Sequence, residues 1–258
     1  MNVTFPSITI ASSVSVNPKQ YVERGTGLAM CGAVFAAIIG TLLGILVSYG
    51  ILLVVILFYP LIAWYLQKQA MALIHGSGVH VSARQFPEIH QCVEAFKSRL
   101  GLRKEVEVYI VEDNVINAFA VKHGKKNVVL LTDDLIHGCI ASGQPQALSF
   151  VIGHELAHIA LNHNSLFLSW MSQHMKRLSR LNEYSADAVA AALVADKKIA
   201  FQGLLLLTVG YALLPYVNTE SIVQQAQEVA QNKYSKKAEL RQTHPLLLNR
   251  LSRIMATN

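Results

Sequence analysis

The sequence predicts an α+β protein: an N-terminal transmembrane helical hairpin followed by a mostly helical domain with a small β-sheet. Three observations predict it. Residues 27–67 are uncharged and almost wholly apolar. Three short stretches between 106 and 132 have strand character. Beyond residue 144 the apolar positions recur mainly at helical spacing.

The apolar run comes first in the chain. A single span needs about twenty apolar residues, and this run is about twice that, so it reads as two spans. Ser48-Tyr49-Gly50 is the natural turn. A buried pair of soluble helices is the competing reading, and the length of the run disfavours it. A cleaved signal peptide fits poorly, because its apolar core would be about 7–15 residues and start nearer the N-terminus. In the first span Gly32, Ala36, Gly40, Gly44 and Ser48 recur every four residues. Such a stripe lets another helix approach closely. The second span, folded back, is the simplest partner; a homo-oligomer through the same face is the alternative. Pro60 is placed to kink the second span, and Tyr59, Trp64 and Tyr65 suit an interfacial belt.

Lys19 and Arg24 precede the hairpin and Lys68 follows it, while the turn is uncharged. The positive-inside rule therefore puts both flanks, and the domain that follows, in the cytoplasm. Cys31, Cys92 and Cys139 show neither metal nor disulfide spacing.

The 258 residues are 52% hydrophobic and 15% charged, as expected when part of the chain lies in lipid. The net charge of +6 is spread over scattered basic residues with no aromatic-flanked basic motif. No nucleic-acid partner is expected; a surface near anionic head groups is the simpler account.

Three regions follow: a polar, loosely held tail over 1–26, the two spans over 27–75, and one compact domain over 76–258. Gly76-Ser77-Gly78 reads as the linker. Within the domain a helix is expected from Pro87 to Leu100, with proline in the favoured first turn. Strands are expected at Val106–Val111, Ala118–Lys122 and Asn127–Thr132, with a hairpin turn at His123-Gly124-Lys125-Lys126. Helices are expected at about 144–162, 165–180, 183–196 and 199–214. The uncharged stretch Ile199–Val217 reads as a buried or membrane-facing helix; a third span is the alternative.

The chemistry is carried by His154-Glu155-Leu156-Ala157-His158, an H-E-x-x-H motif amid helically spaced apolar residues. Histidines four apart share one helix face. They can grip one zinc ion, with the glutamate between them as general base. Zinc needs a third protein ligand and keeps a fourth position open for water. The zincins with a third histidine use H-E-x-x-H-x-x-G-x-x-H. Here Leu161 replaces that glycine and His163 falls one residue early. A glutamate from a following helix is the other solution, the gluzincin arrangement. Glu183 and Asp187, four apart in Asn182-Glu183-Tyr184-Ser185-Ala186-Asp187, offer it. Glu183 would ligate zinc, and Asp187 would hold the free N–H of a ligand histidine. An ordinary acidic surface helix is the bland alternative.

These two motifs together resemble the HtpX-like zinc metallopeptidases, a family that also contains the CAAX prenyl proteases. Gln85-Phe86-Pro87-Glu88-Ile89 resembles the opening of that family's protease domain. Asn117-Ala118-Phe119-Ala120 with the strand after it looks like its edge-strand region, and Thr243-His244-Pro245 followed by Arg250 like its C-terminal motif. The resemblance runs from about residue 80 onward. One feature departs from it: no transmembrane insertion stands between His158 and Glu183, where Lys176, Arg177 and Arg180 lie.

The expected protein is a bacterial inner-membrane zinc endopeptidase with one Zn2+ per chain, a cytoplasmic catalytic domain and polypeptide substrates. Glu155 would be the general base. The His-Pro motif suggests that His244 hydrogen-bonds the oxyanion; a structural cap before Pro245 is the alternative. Asn117, Ala118, Phe119 and Ala120 would bind substrate by strand addition. Protein quality control is the expected role. A prenyl-protein protease and a non-catalytic zinc-containing membrane scaffold remain rivals. The scaffold is disfavoured because structural zinc sites are usually closed by four protein ligands.

Overall fold

The computed structural model describes residues 5–114, 116–124 and 126–256. Helices α1 (Thr26–Val47) and α2 (Ile51–Ser77) are both long and apolar enough to cross a membrane. Their apolar side chains stay in the open, with Phe35, Leu42 and Leu57 each more than 60% exposed. In water such a surface would be a liability; in lipid it has its natural solvent. The turn between them uses positive φ at Tyr49 and Gly50, and Ser48 Oγ accepts from Leu52 N–H at 3.1 Å.

The small-residue stripe serves the hairpin only at this end. A Cβ on Gly44 would come within 2.7 Å of Leu52 Cδ2, whereas Gly32 and Gly40 face open space and Ala36 is exposed. Helix α2, the partner expected for the stripe, therefore meets it only near the turn. The base of α1 packs elsewhere: Ala29 and Ala33 are buried with Met171 and Leu178.

Gly76-Ser77-Gly78 is not a loose linker either. Helix α2 runs through Ser77, and its last turns lay Met71 and Ile74 on Tyr109, Val128 and Leu130 of the sheet. A Cβ at Gly78 would sit 2.7 Å from Ile74 O, so only glycine lets the chain turn this sharply into β1 (Val79–His80).

After α3 (Pro87–Arg99) come β2 (Val106–Val111), β3 (Ala118–His123) and β4 (Lys126–Thr132). The sheet order is β1-β2-β4-β3, with β2 and β4 parallel and the other neighbours antiparallel. Side chains alternate between faces. Val108, Ile110, Val129 and Leu131 join the main core, while Tyr109 and Val128 meet α2. Strand β3 is left at an edge.

The rest is helical: α4 (Asp133–Ala141), α5 (Ala147–Ala160), α6 (Leu166–His174), α7 (Lys176–Val194), α8 (Lys197–Val209), α9 (Thr219–Gln231), α10 (Lys233–Glu239) and α11 (Leu247–Ala256). Helix α4 was not expected; Thr132 caps it by accepting from Leu135 N–H. The expected break near residue 181 falls instead at Met175, in extended conformation, so α7 is continuous through Glu183 and Asp187. Helix α5 is the centre of the core. Leu148, Phe150, Ile152 and Leu156 are each at most 1% exposed. Burial of each such side chain contributes roughly 1.5–3 kcal/mol. Gly203 lets α8 press on α5, since a Cβ there would meet Phe150 Cδ1 at 2.8 Å. Helix α8 is therefore a core helix of 13 residues and not a third span.

The N-terminal segment is also more ordered than its polar composition suggested. Residues 5–24 strap the domain. Phe5, Ile8, Ile10 and Val16 pack on the main core. Thr9 N–H donates to Gln146 Oε1 at 2.9 Å, Arg99 Nε donates to Val14 O at 2.7 Å, and Glu23 N–H donates to Ser185 Oγ at 2.9 Å. The apolar residues spaced along the tail supply the anchor points.

Candidate metal centre

Helices α5 and α7 pack side by side, and each brings its polar residues to the same place. His154 and His158 lie one turn apart on α5, and their Nε2 atoms are 3.1 Å from each other. Glu183 on α7 faces them: Oε1 is 3.4 Å from His158 Nε2 and Oε2 is 3.6 Å from His154 Nε2. One ligand atom from each of the three lies within 4.8 Å of the others. Two imidazole nitrogens and a carboxylate, converging in a largely buried cluster, could together hold a metal ion.

Asp187, one turn beyond Glu183, holds the back of His154, with Oδ1 3.0 Å from Nδ1. That contact fixes the ring so that Nε2 points to the cluster. Asp187 is in turn clamped by Arg250 from α11: Nε donates to Oδ2 and Nη2 to Oδ1, both at 2.7 Å. Burial alone would raise the Asp187 carboxyl, but Arg250 and His154 bring it below the usual range. Glu183 behaves likewise: burial opposes ionisation, yet His158, His244 and His154 hold it well below the ordinary value.

His244 also reaches the cluster, with Nδ1 3.4 Å from Glu183 Oε2. Its contact with Glu183 raises its pKa. Glu155 is buried beside the pair of histidines and lines the same cleft. Ala118, Phe119 and Ala120 on the edge strand, with Asn117 just before it, form another part of the wall. The cleft holds about 660 Å³. Every site residue expected from the sequence thus borders or supports one cavity.

Two residues were undervalued by sequence reasoning. His163 was weighed only as a zinc ligand. It sits behind His158 instead, Nδ1 to Nδ1 at 3.0 Å, and burial together with the neighbouring His158 pushes its pKa down to about 3. Arg250 stood in a recognised motif without a role; its clamp on Asp187 supplies one. The signal for both was a buried polar chain behind each histidine, which spacing along the sequence does not reveal.

The profile of peptidase family M48 matches residues 83–176 and 165–258, and so covers strands β2 to β4, both histidines, Glu183 and the C-terminal helices. The chain belongs to peptidase family M48. Among curated relatives, Protease HtpX homolog 1 of Streptomyces coelicolor is 28% identical over 144 residues, 54% of this chain and 44% of its own length. Protease HtpX homolog of Leuconostoc citreum is 35% identical over 136 residues, 51% of this chain and 44% of its own. That of Methanocaldococcus jannaschii is 30% identical over 108 residues, 42% and 36% respectively. The chain therefore spans less than half the length of these relatives. No solved structure matches it. The family match thus takes in the candidate metal centre, and two helices among the described residues are long and apolar enough to cross a membrane.

Proposed function

We propose that the protein is a membrane-anchored zinc endopeptidase that hydrolyses extended polypeptide segments. The observation that carries this reading is the convergence of His154, His158 and Glu183 beside Glu155, in a cleft bordered by an edge strand. His154, His158 and Glu183 would hold the ion. When bound, zinc supplies Lewis acidity that activates a water and polarises a peptide carbonyl. Glu155 accepts the water's proton and delivers it to the departing amine, general acid–base work worth about 10²–10⁴-fold in rate. His244 donates a hydrogen bond toward the carbonyl oxygen as charge builds there. Asp187 keeps His154 oriented. Strand β3 pairs with the substrate backbone through its open edge, reading extended conformation more than side chains.

The same packing supports a topology. Residues 5–24 strap the catalytic domain, so the tail and the domain lie on one side of the bilayer, as an even number of spans requires. Lys19, Arg24 and Lys68 favour the cytoplasmic side. A bacterial inner-membrane location and a role in clearing misfolded or membrane proteins follow as the preferred setting. Cleavage at prenylated cysteines is the second reading, carried by the family resemblance alone. Self-association through Gly32, Ala36 and Gly40 is a separate proposal, resting on their exposure.

The test is proteolysis by the purified full chain of an unfolded polypeptide and of a prenylated C-terminal peptide, with and without chelator. Chelator-sensitive internal cleavage of the unfolded chain supports the reading. Cleavage confined to the prenylated peptide would replace it with the second one.

A further inference from the structure

Helix α6 stands between the two halves of the metal centre in sequence, yet it leans on the first membrane helix. We propose that α6 is a third bilayer contact, a short helix that dips into the acyl region beside α1 without crossing it. Its nine residues span about 14 Å at 1.5 Å per residue, half the roughly 30 Å of hydrocarbon. It inserts and returns; it is not a span.

Depth follows from its neighbours. Met171 is 1% exposed and packs with Ala29, Ala33 and Leu178. Trp170 shares an open groove with Val34, Ala37, Ile38, Thr41 and Leu42 of α1. Val34 lies eight residues beyond the start of α1, about 12 Å along its axis. Helix α1 is about 33 Å long and needs nearly all of that length to cross the hydrocarbon. A groove beginning 12 Å along it is therefore inside the apolar layer. The level of the head groups is marked independently. The Arg177 guanidinium lies 3.5 Å from where a Gly25 Cβ would be, and Lys19, Arg24 and Lys176 lie near it in sequence. The basic collar stands at the foot of α1 and the tryptophan lies well above it.

The groove contains no charged residue, and Trp170 is 45% exposed within it while Ile38 and Leu42 are more than half exposed. Its occupant is lipid acyl chain, because the groove is continuous with the exposed apolar surface of the α1 span. One consequence rests on the peptidase reading. Ser169, next to Trp170 in α6, also lines the metal cleft, so that cleft would lie against the bilayer and receive segments held in it.

The chain has two tryptophans, Trp64 and Trp170. Trp64→Phe leaves Trp170 as the only indole. The full-length variant is reconstituted in phosphatidylcholine vesicles whose acyl chains carry bromine at defined depths. Trp170 fluorescence should be quenched strongly by the brominated chains and hardly at all by aqueous iodide. Trp170→Phe, which reports Trp64 of α2, is the control for correct insertion, and Trp64→Tyr replaces Trp64→Phe if that variant misfolds. Quenching by iodide and by no brominated lipid would overturn the proposal. The readout requires no peptide cleavage, so its failure and that of the peptidase reading are seen separately.

Discussion

Replacing Arg250 with methionine should damage the metal centre by removing the cation that holds its carboxylates in place. Arg250 makes two 2.7 Å hydrogen bonds to Asp187, whose other contact orients His154, and its Nη1 also lies 3.7 Å from Glu183 Oε2. Asp187 is 4% exposed, so the variant would leave a carboxylate buried with only an imidazole beside it. Breaking a buried ion pair from one side costs roughly 3–5 kcal/mol. Loss of support behind a ligand histidine typically lowers metal affinity about 10–100-fold. Both effects should appear in Arg250→Met: a large drop in unfolding free energy of the metal-free protein and weaker zinc in chelator competition. Arg250→Met combined with Asp187→Asn should recover part of the stability, since neither charge is then stranded, but not the affinity. If Arg250→Met kept wild-type stability and zinc affinity, the chain from Arg250 through Asp187 to His154 would be a packing coincidence.

Glu183→Ala should weaken zinc binding severely, and tight stoichiometric zinc in that variant would remove Glu183 from the ligand set. Gly44→Leu should destabilise the hairpin by about 1–3 kcal/mol through overpacking against Leu52, while Gly40→Leu, in open space, should be neutral in detergent stability. Equal losses from both would mean that the stripe is filled by something other than α2. Asp187 titrates below the ordinary carboxylate range, so it contributes stability above an unfolded value of about 3.9. That contribution is lost as pH falls through the lowered folded value. Acid unfolding of the metal-free protein should flatten in Asp187→Asn over this window, and an unchanged slope would refute the assignment.

How much could be read in advance depended on whether the signal was local. The H-E-x-x-H spacing and the Glu183–Asp187 spacing each lie within one helix, and period alone aligns their side chains. Val106–Val111 was legible because its residues alternate, a period-2 pattern that is itself local. The packing of α1 was not. Its small residues announce a close approach but not which stretch is used, and tertiary contacts reserve Ala29 and Ala33 for α6 and α7. The tail was misjudged because Phe5, Ile8, Ile10 and Val16 are too widely spaced to form a periodic pattern, yet suffice to fix an extended strap. Arg250 and His163 escaped because buried polar chains link residues across elements.

In the proposed mechanism Glu155 moves the proton while His154, His158 and Glu183 hold the ion. Glu155→Gln separates those functions. The purified variant should retain one zinc per chain and the wild-type unfolding midpoint, yet cleave an unfolded polypeptide about 10²–10⁴-fold more slowly, because an amide cannot accept the water's proton. Cleavage at the wild-type rate with zinc in place would contradict the account.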